Sequence, residues 1–212
     1  MEPVLTVSIV ILLSGFTFFI CFFLSKVIKI LFDGSLEDFS KPIGNPIAGA
    51  LYSLIKGMSP FKKETAYLHW PTYSAGILYH LGSFLSLLWL PILFLKINMP
   101  GFIIRFSIYY LPLSIICGIL ILLKRMANQK LRFLSCPDDY VSNVLATLFQ
   151  IFTALSLYHI SFIPLLYFCA GVLFFYIPIG KLRHIVYFVT TRIHLGYHFG
   201  KRGTWPTGRS QQ

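Results

Sequence analysis

Long apolar runs separated by short polar stretches are the main feature of this chain. Five runs are long enough to cross roughly 30 Å of hydrocarbon as α-helices, and they lie at about 4–27, 76–96, 101–123, 141–160 and 162–182. The first run has neither the basic start nor the small-residue cleavage site of a signal peptide, so we expect it to be retained. The pattern predicts an all-α fold, an integral membrane five-helix bundle that forms a single domain over 1–212.

Composition agrees with this class. Hydrophobic residues make up 56% of the chain, charged residues only 12%, and the mean hydropathy is +0.74, which is too apolar for a soluble globular domain. The four cysteines form no C-x-x-C pair and no C-x-x-C-H motif. The sequence therefore offers no covalently attached c-type haem and no thiolate pair for zinc or an iron–sulfur cluster. Any iron–sulfur cluster would belong to a partner.

Basic residues are concentrated on one predicted face of the membrane. The net charge is +11, and all but two of the 18 Lys and Arg residues fall on the same side, the exceptions being Lys96 and Arg105. The positive-inside rule then places the N-terminus outside and the C-terminus in the cytoplasm. We expect a multi-pass protein of the cytoplasmic (inner) membrane. Nucleic-acid binding is not expected, because no polar domain interleaves basic and aromatic residues.

The longest polar stretch, between the first and second helices, contains a further helical pattern at about 46–56. Apolar residues recur there near helical spacing, at Ile47, Leu51, Leu54 and Ile55. The pattern predicts a short amphipathic helix that lies in the membrane interface. A packed connector and a docking surface for another subunit remain open.

Two histidines are predicted to lie at one depth. His80 lies four residues into the second helix, about 6 Å from its cytoplasmic start, and His184 lies at the cytoplasmic end of the fifth helix, about 30 Å from Pro164. The second helix leaves the cytoplasm and the fifth returns to it, so both imidazoles should lie near the inner face. An ionisable residue within a span is a functional hypothesis by default. We therefore expect the two histidines to share a ligand.

A porphyrin iron accepts two axial imidazoles, and facing helices of a bundle build such sites. The sequence predicts this metal site, a haem b with His80 and His184 as the iron ligands. Four further residues are predicted to contact the cofactor. Gly76 and Gly82 would leave room for a flat macrocycle close to the helix backbone, and Lys181 and Arg183 would pair with the haem propionates. A hydrogen-bonded interior histidine at position 80 and a solvated histidine at position 184 are the alternatives.

Short motifs at the helix ends give the chain a likeness to a known family. "GILYHLG" opening the second helix, "LLKR" ending the third and "LRHIVY" closing the fifth resemble cytochrome b subunits related to the gamma subunit of respiratory nitrate reductase. "SPFKKETAYLHWP" and "HFGKRGTWP" are more similar to the membrane cytochromes of sulfite-reduction-associated and heterodisulfide-reductase-like complexes. The resemblance covers nearly the whole chain. It implies a five-helix bundle that binds haem b, exchanges electrons with membrane quinone and has iron–sulfur or cytochrome partner subunits.

The resemblance also assigns ligands. His80 and His184 match the ligands of the family's cytoplasmic-side haem. Members with two haems have a further histidine later in the second helix and another early in the fifth, whereas this chain has no histidine in 88–91 or 165–167. The outer-side haem is therefore expected to be absent. His159, the only histidine near that face, is expected at a loop or helix end.

Three histidines remain on the predicted cytoplasmic side: His69, His194 and His198. A second haem, bound by His69 with His194 or His198, is one alternative. A hydrolytic zinc site is disfavoured, because "HLGYH" lacks the glutamate of H-E-x-x-H. We favour contacts with a quinone headgroup, a propionate or a partner subunit, where a histidine could accept a proton during quinol oxidation.

Together these features predict a haem b-containing membrane subunit of a respiratory redox complex. It would exchange electrons between quinone and partner subunits, as part of a quinone-linked oxidoreductase rather than as a stand-alone enzyme. The alternative is a haem-free membrane anchor that docks catalytic subunits and lines a quinone pocket. A carrier or channel is disfavoured, because the first, third and fourth helices have almost no ionisable groups away from their ends.

Overall fold

The computed structural model describes residues 2–33, 41–58 and 69–206. These residues form no strand and eight α-helices: α1 (Glu2–Asp33), α2 (Pro46–Leu54), α3 (Trp70–Phe94), α4 (Gly101–Ala127), α5 (Gln129–Phe133), α6 (Pro137–Tyr158), α7 (Ile163–Ile179) and α8 (His184–Lys201). Five stretches are long and apolar enough to cross a membrane: Glu2–Lys29, α3, α4, α6 and Ile160–Ile179. The predicted all-α class with five candidate spans is confirmed, as expected of a multi-pass membrane protein. The predicted orientation stays a prediction.

The chain divides into two compact units, and the boundary falls within α1. The bundle unit consists of 1–21 and 70–182. The α2–α8 unit consists of 22–69 and 183–212. The single domain expected over 1–212 stays a prediction.

Helices of the bundle unit pack largely in chain order: α3 on α4, α4 on α6, α6 on α7, and α3 also on α6. Its most deeply buried apolar side chains are Leu111, Phe149, Leu166 and Ala170. The first part of α1 packs on α7, where a Cβ at Gly171 would lie only 2.6 Å from the carbonyl oxygen of Ile11. Beside this contact the Phe16 and Phe174 rings meet edge-on at 5.3 Å. Small residues permit such close contact, which matters because lipid supplies no hydrophobic force between helices.

In the α2–α8 unit, two helices cross along a seam of glycines formed by Gly49, Gly196 and Gly200. A Cβ at Gly196 would lie 2.6 Å from the Cα of Ala50, and a Cβ at Gly200 would lie 2.7 Å from the carbonyl oxygen of Asn45. Real side chains do not approach backbone this closely. The glycine seam therefore decides which faces of α2 and α8 meet.

The predicted helix at about 46–56 is present as α2, which ends at Leu54. Asn45 caps it, because its side-chain Oδ1 accepts hydrogen bonds from the backbone N–H groups of Ile47 (2.9 Å) and Ala48 (3.2 Å). Along this segment, every fourth residue is a large apolar side chain that is exposed: Ile43, Ile47, Leu51 and Ile55. The helix itself is present as expected, and its amphipathic character and its place in a membrane interface stay predictions.

Several predicted helix boundaries differ from those of the structure by a few residues, and two of these differences affect the histidines. The second span begins at Trp70 rather than 76, since Pro71 is tolerated in a first turn. His80 therefore lies about 15 Å along α3 rather than about 6 Å. The fifth span ends at Ile179 rather than 182, where Gly180 takes an extended conformation. His184 begins the new helix α8, so the predicted match in depth has lost its original basis.

Gly15→Ala is expected to destabilise the bundle unit, because the added Cβ would overlap the carbonyl group of Gly171. Overpacking of this kind costs about 1–3 kcal/mol, so the melting temperature of the purified protein in detergent should fall. Gly101→Ala is the matched control, because no described atom lies within 4 Å of its Cβ position. Equal melting temperatures for the two variants would contradict the close packing of α1 on α7.

Candidate functional site

His80 lies on the exposed side of α3, inside a helix that is long and apolar enough to cross a membrane. Its ring nitrogen Nδ1 lies 2.7 Å from the carbonyl oxygen of Gly76. A carbonyl oxygen only accepts hydrogen bonds, so Nδ1 carries a proton, and in the neutral form of the ring the lone pair is on Nε2. Histidines that bind metals commonly have this backbone hydrogen bond, which fixes the tautomer and the ring orientation. The His80 side chain is therefore suited to act as an axial ligand through Nε2.

The two glycines near His80 have different surroundings. No described atom lies within 4 Å of a Cβ placed at Gly76, so the space beside this turn is open. A Cβ at Gly82 would overlap the Ser114 side chain and lie 2.9 Å from Oε1 of Gln150. Gly82 is thus required for α3 to approach α4 and α6. The room for a macrocycle predicted at Gly82 is therefore taken up by packing, and the room predicted at Gly76 stays a prediction.

A buried hydrogen-bond network, which sequence reasoning missed, holds this part of α3. The Ser114 hydroxyl donates to Oε1 of Gln150 at 2.7 Å, and Nε2 of Gln150 donates to the Ser83 hydroxyl at 2.8 Å. The Tyr79 hydroxyl lies 2.9 Å from that of Thr147. These bonds connect α3, α4 and α6. The polar residues within the apolar runs were the available signal, although their partners could not be deduced from spacing.

His184, His194 and His198 lie on the same side of α8, His184 at its start and the other two towards its end. At about 100° per residue they span an arc of about 80°, roughly opposite the seam of Gly196 and Gly200. His184 and His194 are exposed, and His198 is half-buried with its ring edge-on to Phe199 at 5.5 Å. No helix was predicted after 182, so this common face was missed. His80 belongs to the bundle unit and His184 to the α2–α8 unit, and their pairing stays a prediction.

Lys181 already has a carboxylate partner in the bundle unit. Its Nζ lies 2.7 Å from Oδ1 of Asp139, which also lies 3.1 Å from Nη1 of Arg125. The backbone N–H of Lys181 donates to Oδ2 of Asp138 at 2.6 Å. The hydrogen bond with Asp139 raises the pKa of Lys181 above its ordinary value, so the ammonium group stays charged at neutral pH. The predicted contact of Lys181 with a propionate has to compete with this ion pair, and Arg183 is exposed.

The other predicted positions have mixed outcomes. His159 is the C-cap of α6 and is exposed, and its Nδ1 accepts the N–H of Ser161 at 3.3 Å, which confirms its expected place at a helix end. His69 is exposed immediately before α3. Most of the motif "SPFKKETAYLHWP", namely 59–68, lies outside the described residues. The motif "HFGKRGTWP" covers the end of α8 and the residues after it.

No protein-family model, curated protein or solved structure matches the chain. Within 2–33, 41–58 and 69–206, no group of three or more His, Cys, Asp or Glu residues is arranged to hold a metal ion. A bis-imidazole iron needs only two protein ligands, so this finding does not test the predicted haem site. The class that the fold defines is an all-α protein with five candidate membrane-spanning helices. The family resemblance stays a prediction.

Gln150→Leu is expected to lower the stability of the bundle unit, because it leaves Ser114 and Ser83 without their buried partner. Hydrogen bonds between membrane helices contribute roughly 0.6–1.7 kcal/mol each, so we expect a loss of about 1–3 kcal/mol, measured by thermal unfolding in detergent. Gln129→Leu is the matched control, since Gln129 is exposed at the start of α5. An unchanged melting temperature for Gln150→Leu would show that the network does not hold these helices.

Proposed function

We propose that this protein is a haem b-containing membrane subunit of a respiratory redox complex in the cytoplasmic membrane. It exchanges electrons between membrane quinone and iron–sulfur or cytochrome partner subunits. His80 provides one axial ligand of the iron, and His184, which the sequence resemblance pairs with it, provides the other. A second haem that uses His69 with His194 or His198 is the extension of this proposal.

The exposed imidazole of His80 is the observation that carries the proposal. An ionisable side chain within a membrane span is costly unless it has a partner. His80 has a fixed tautomer, with Nδ1 bound to the Gly76 carbonyl oxygen and a lone pair on Nε2. The open space at Gly76 supports an approach by a flat ligand along the same helix turn. A side chain held in this way is better explained by a ligand than by contact with lipid.

The chain's own groups would bind and orient the cofactor. A bound haem supplies one-electron chemistry. The Gly76 carbonyl group keeps the His80 ring in one orientation, and the network around Gln150 keeps α3 from rotating. Arg183 is exposed and available to pair with a propionate. Imidazoles along α8 could accept protons released from a quinol, since an imidazole can act as a general base.

A haem-free anchor that docks catalytic subunits is the second candidate. It is favoured by the exposed apolar positions of α2, among which Ile47 is 69% exposed. A surface of this kind is typical of protein or membrane contact. The two candidates make opposite predictions about bound haem.

His80→Ala and His184→Ala are each expected to abolish the reduced-minus-oxidised haem b spectrum of the purified protein, because a bis-histidine iron loses an axial ligand. His159→Ala is the control, since His159 lies at a helix end and is not a proposed ligand. Size-exclusion chromatography separates loss of haem from loss of fold. A spectrum that survives both ligand changes would rule out the assignment. A pyridine haemochrome assay that finds no haem in the unaltered protein would favour the anchor.

The orientation with the N-terminus outside can be tested with reporter fusions. A fluorescent protein at the C-terminus should fluoresce, because the positive-inside rule places this end in the cytoplasm. Alkaline phosphatase joined in the short connection between α3 and α4 should be active, since that connection is predicted to lie outside. The reverse pattern would contradict the proposed topology.

A further inference from the structure

At the basic end of the bundle unit, the start of α3, the end of α4 and the segment around α5 line a partly open cavity of about 180 Å³. Its polar lining consists of Thr72, Lys124, Arg125 and Ser135. Its apolar lining consists of Ile121, Leu131 and Leu134. Pockets for drug-sized ligands typically measure roughly 300–1,000 Å³. This cavity is smaller, so it suits a single charged group with a short apolar extension.

The two cations of the cavity have different electrostatic surroundings. Arg125 lies 3.1 Å from Oδ1 of Asp139, so its charge is partly balanced. Lys124 contacts the hydroxyl of Thr72, and in the part of the chain that the structure describes no carboxylate lies within ion-pair distance of it. Asp139 cannot offset Lys124 as well, because it also pairs with Lys181. The cavity therefore keeps an excess positive charge and favours an anion.

The surroundings of the cavity are typical of a membrane interface. Lys124 lies in the last turn of α4, a helix long and apolar enough to cross a membrane. At the end of α5, Phe133 is 90% exposed, and Leu134, which lines the cavity, is 78% exposed. Lys130 and Arg132 in α5 are exposed as well. Large apolar side chains interleaved with cations at the end of a span are suited to the headgroup region of anionic lipids.

We propose that this cavity binds the phosphate group of an anionic phospholipid. Lys124 supplies the charge and the Thr72 hydroxyl a hydrogen bond to the phosphate oxygens, while Leu131 and Leu134 contact the first part of the acyl chain. Lysine acts as a point charge for phosphate, and basic pockets between helices at a membrane face recognise lipid headgroups in this way. A free phosphate ion would satisfy Lys124 but would leave the apolar lining unused. This inference does not rest on the proposed haem.

The purified protein in nanodiscs with increasing fractions of phosphatidylglycerol in phosphatidylcholine provides the test. A lipid that binds only the folded protein raises its melting temperature with concentration. Lys124→Gln should require roughly tenfold or more additional phosphatidylglycerol for half of the rise, because it removes a charge-assisted contact, whereas the loss of a basic residue that lies only near the surface should require about fivefold at most. Lys124→Arg should respond like the unaltered protein. Lys130→Gln is the matched control, since Lys130 lies in the same basic segment but does not line the cavity.

Two further measurements identify the source of the phosphate. Both use the unaltered protein, so they remain informative if a variant is unstable. Inorganic phosphate should not reproduce the rise in the melting temperature of the unaltered protein. Native mass spectrometry of that protein should show phosphatidylglycerol retained in preference to phosphatidylcholine. Equal responses of Lys124→Gln and the unaltered protein, or equal losses in Lys124→Gln and Lys130→Gln, would overturn the site. A full rise with phosphatidylcholine or inorganic phosphate alone would overturn the lipid as ligand.

Discussion

Hydrogen bonds between Gln150 and its partners on α3 and α4 are the constraint on which the bundle unit depends. Within hydrocarbon no water is available to satisfy a polar side chain, so the partners must come from neighbouring helices. Gly82 permits this approach, because any side chain there would overlap Ser114. Gly82 follows His80 by two residues, which is about 200° around a helix. The packing that buries Gly82 thereby directs His80 outward, and the position of the candidate ligand is a consequence of the polar core.

In the α2–α8 unit, close packing also fixes which side of a helix faces its neighbour, but here the contacts are between backbones rather than between polar side chains. Its glycine seam admits only one pairing of faces, because a Cβ at Gly196 would meet the backbone of α2. The three histidines of α8 consequently share the opposite side of that helix. In both units, close packing on one side of a helix leaves the titratable groups on the other, where a cofactor, a substrate or a partner can reach them.

Asp139 organises the basic end of the bundle unit. It accepts a hydrogen bond from the backbone N–H of Cys136 at the start of α6, and its side chain pairs with Arg125 of α4 and with Lys181 after α7. One carboxylate thus connects three chain segments and balances part of a strongly basic surface. The positive charge that Asp139 does not neutralise, chiefly that of Lys124, is available to external anions. Arg125 and Lys181 therefore form structural ion pairs, whereas the neighbouring Lys124 is left to bind a ligand.

The sequence by itself determined the class of this protein, because the length and apolarity of a run are local properties that membrane thickness makes decisive. It also placed His159 at a helix end and predicted α2. It did not determine where the fifth span stops, since Pro178 lies within α7 whereas Gly180, next to the Tyr176 ring, ends it. The partner of Lys181, the packing role of Gly82 and the outward side of His80 were decided only by the tertiary structure. Each depends on contacts between residues distant in the chain, such as Lys181 and Asp139, and helical periodicity alone carries no information about them.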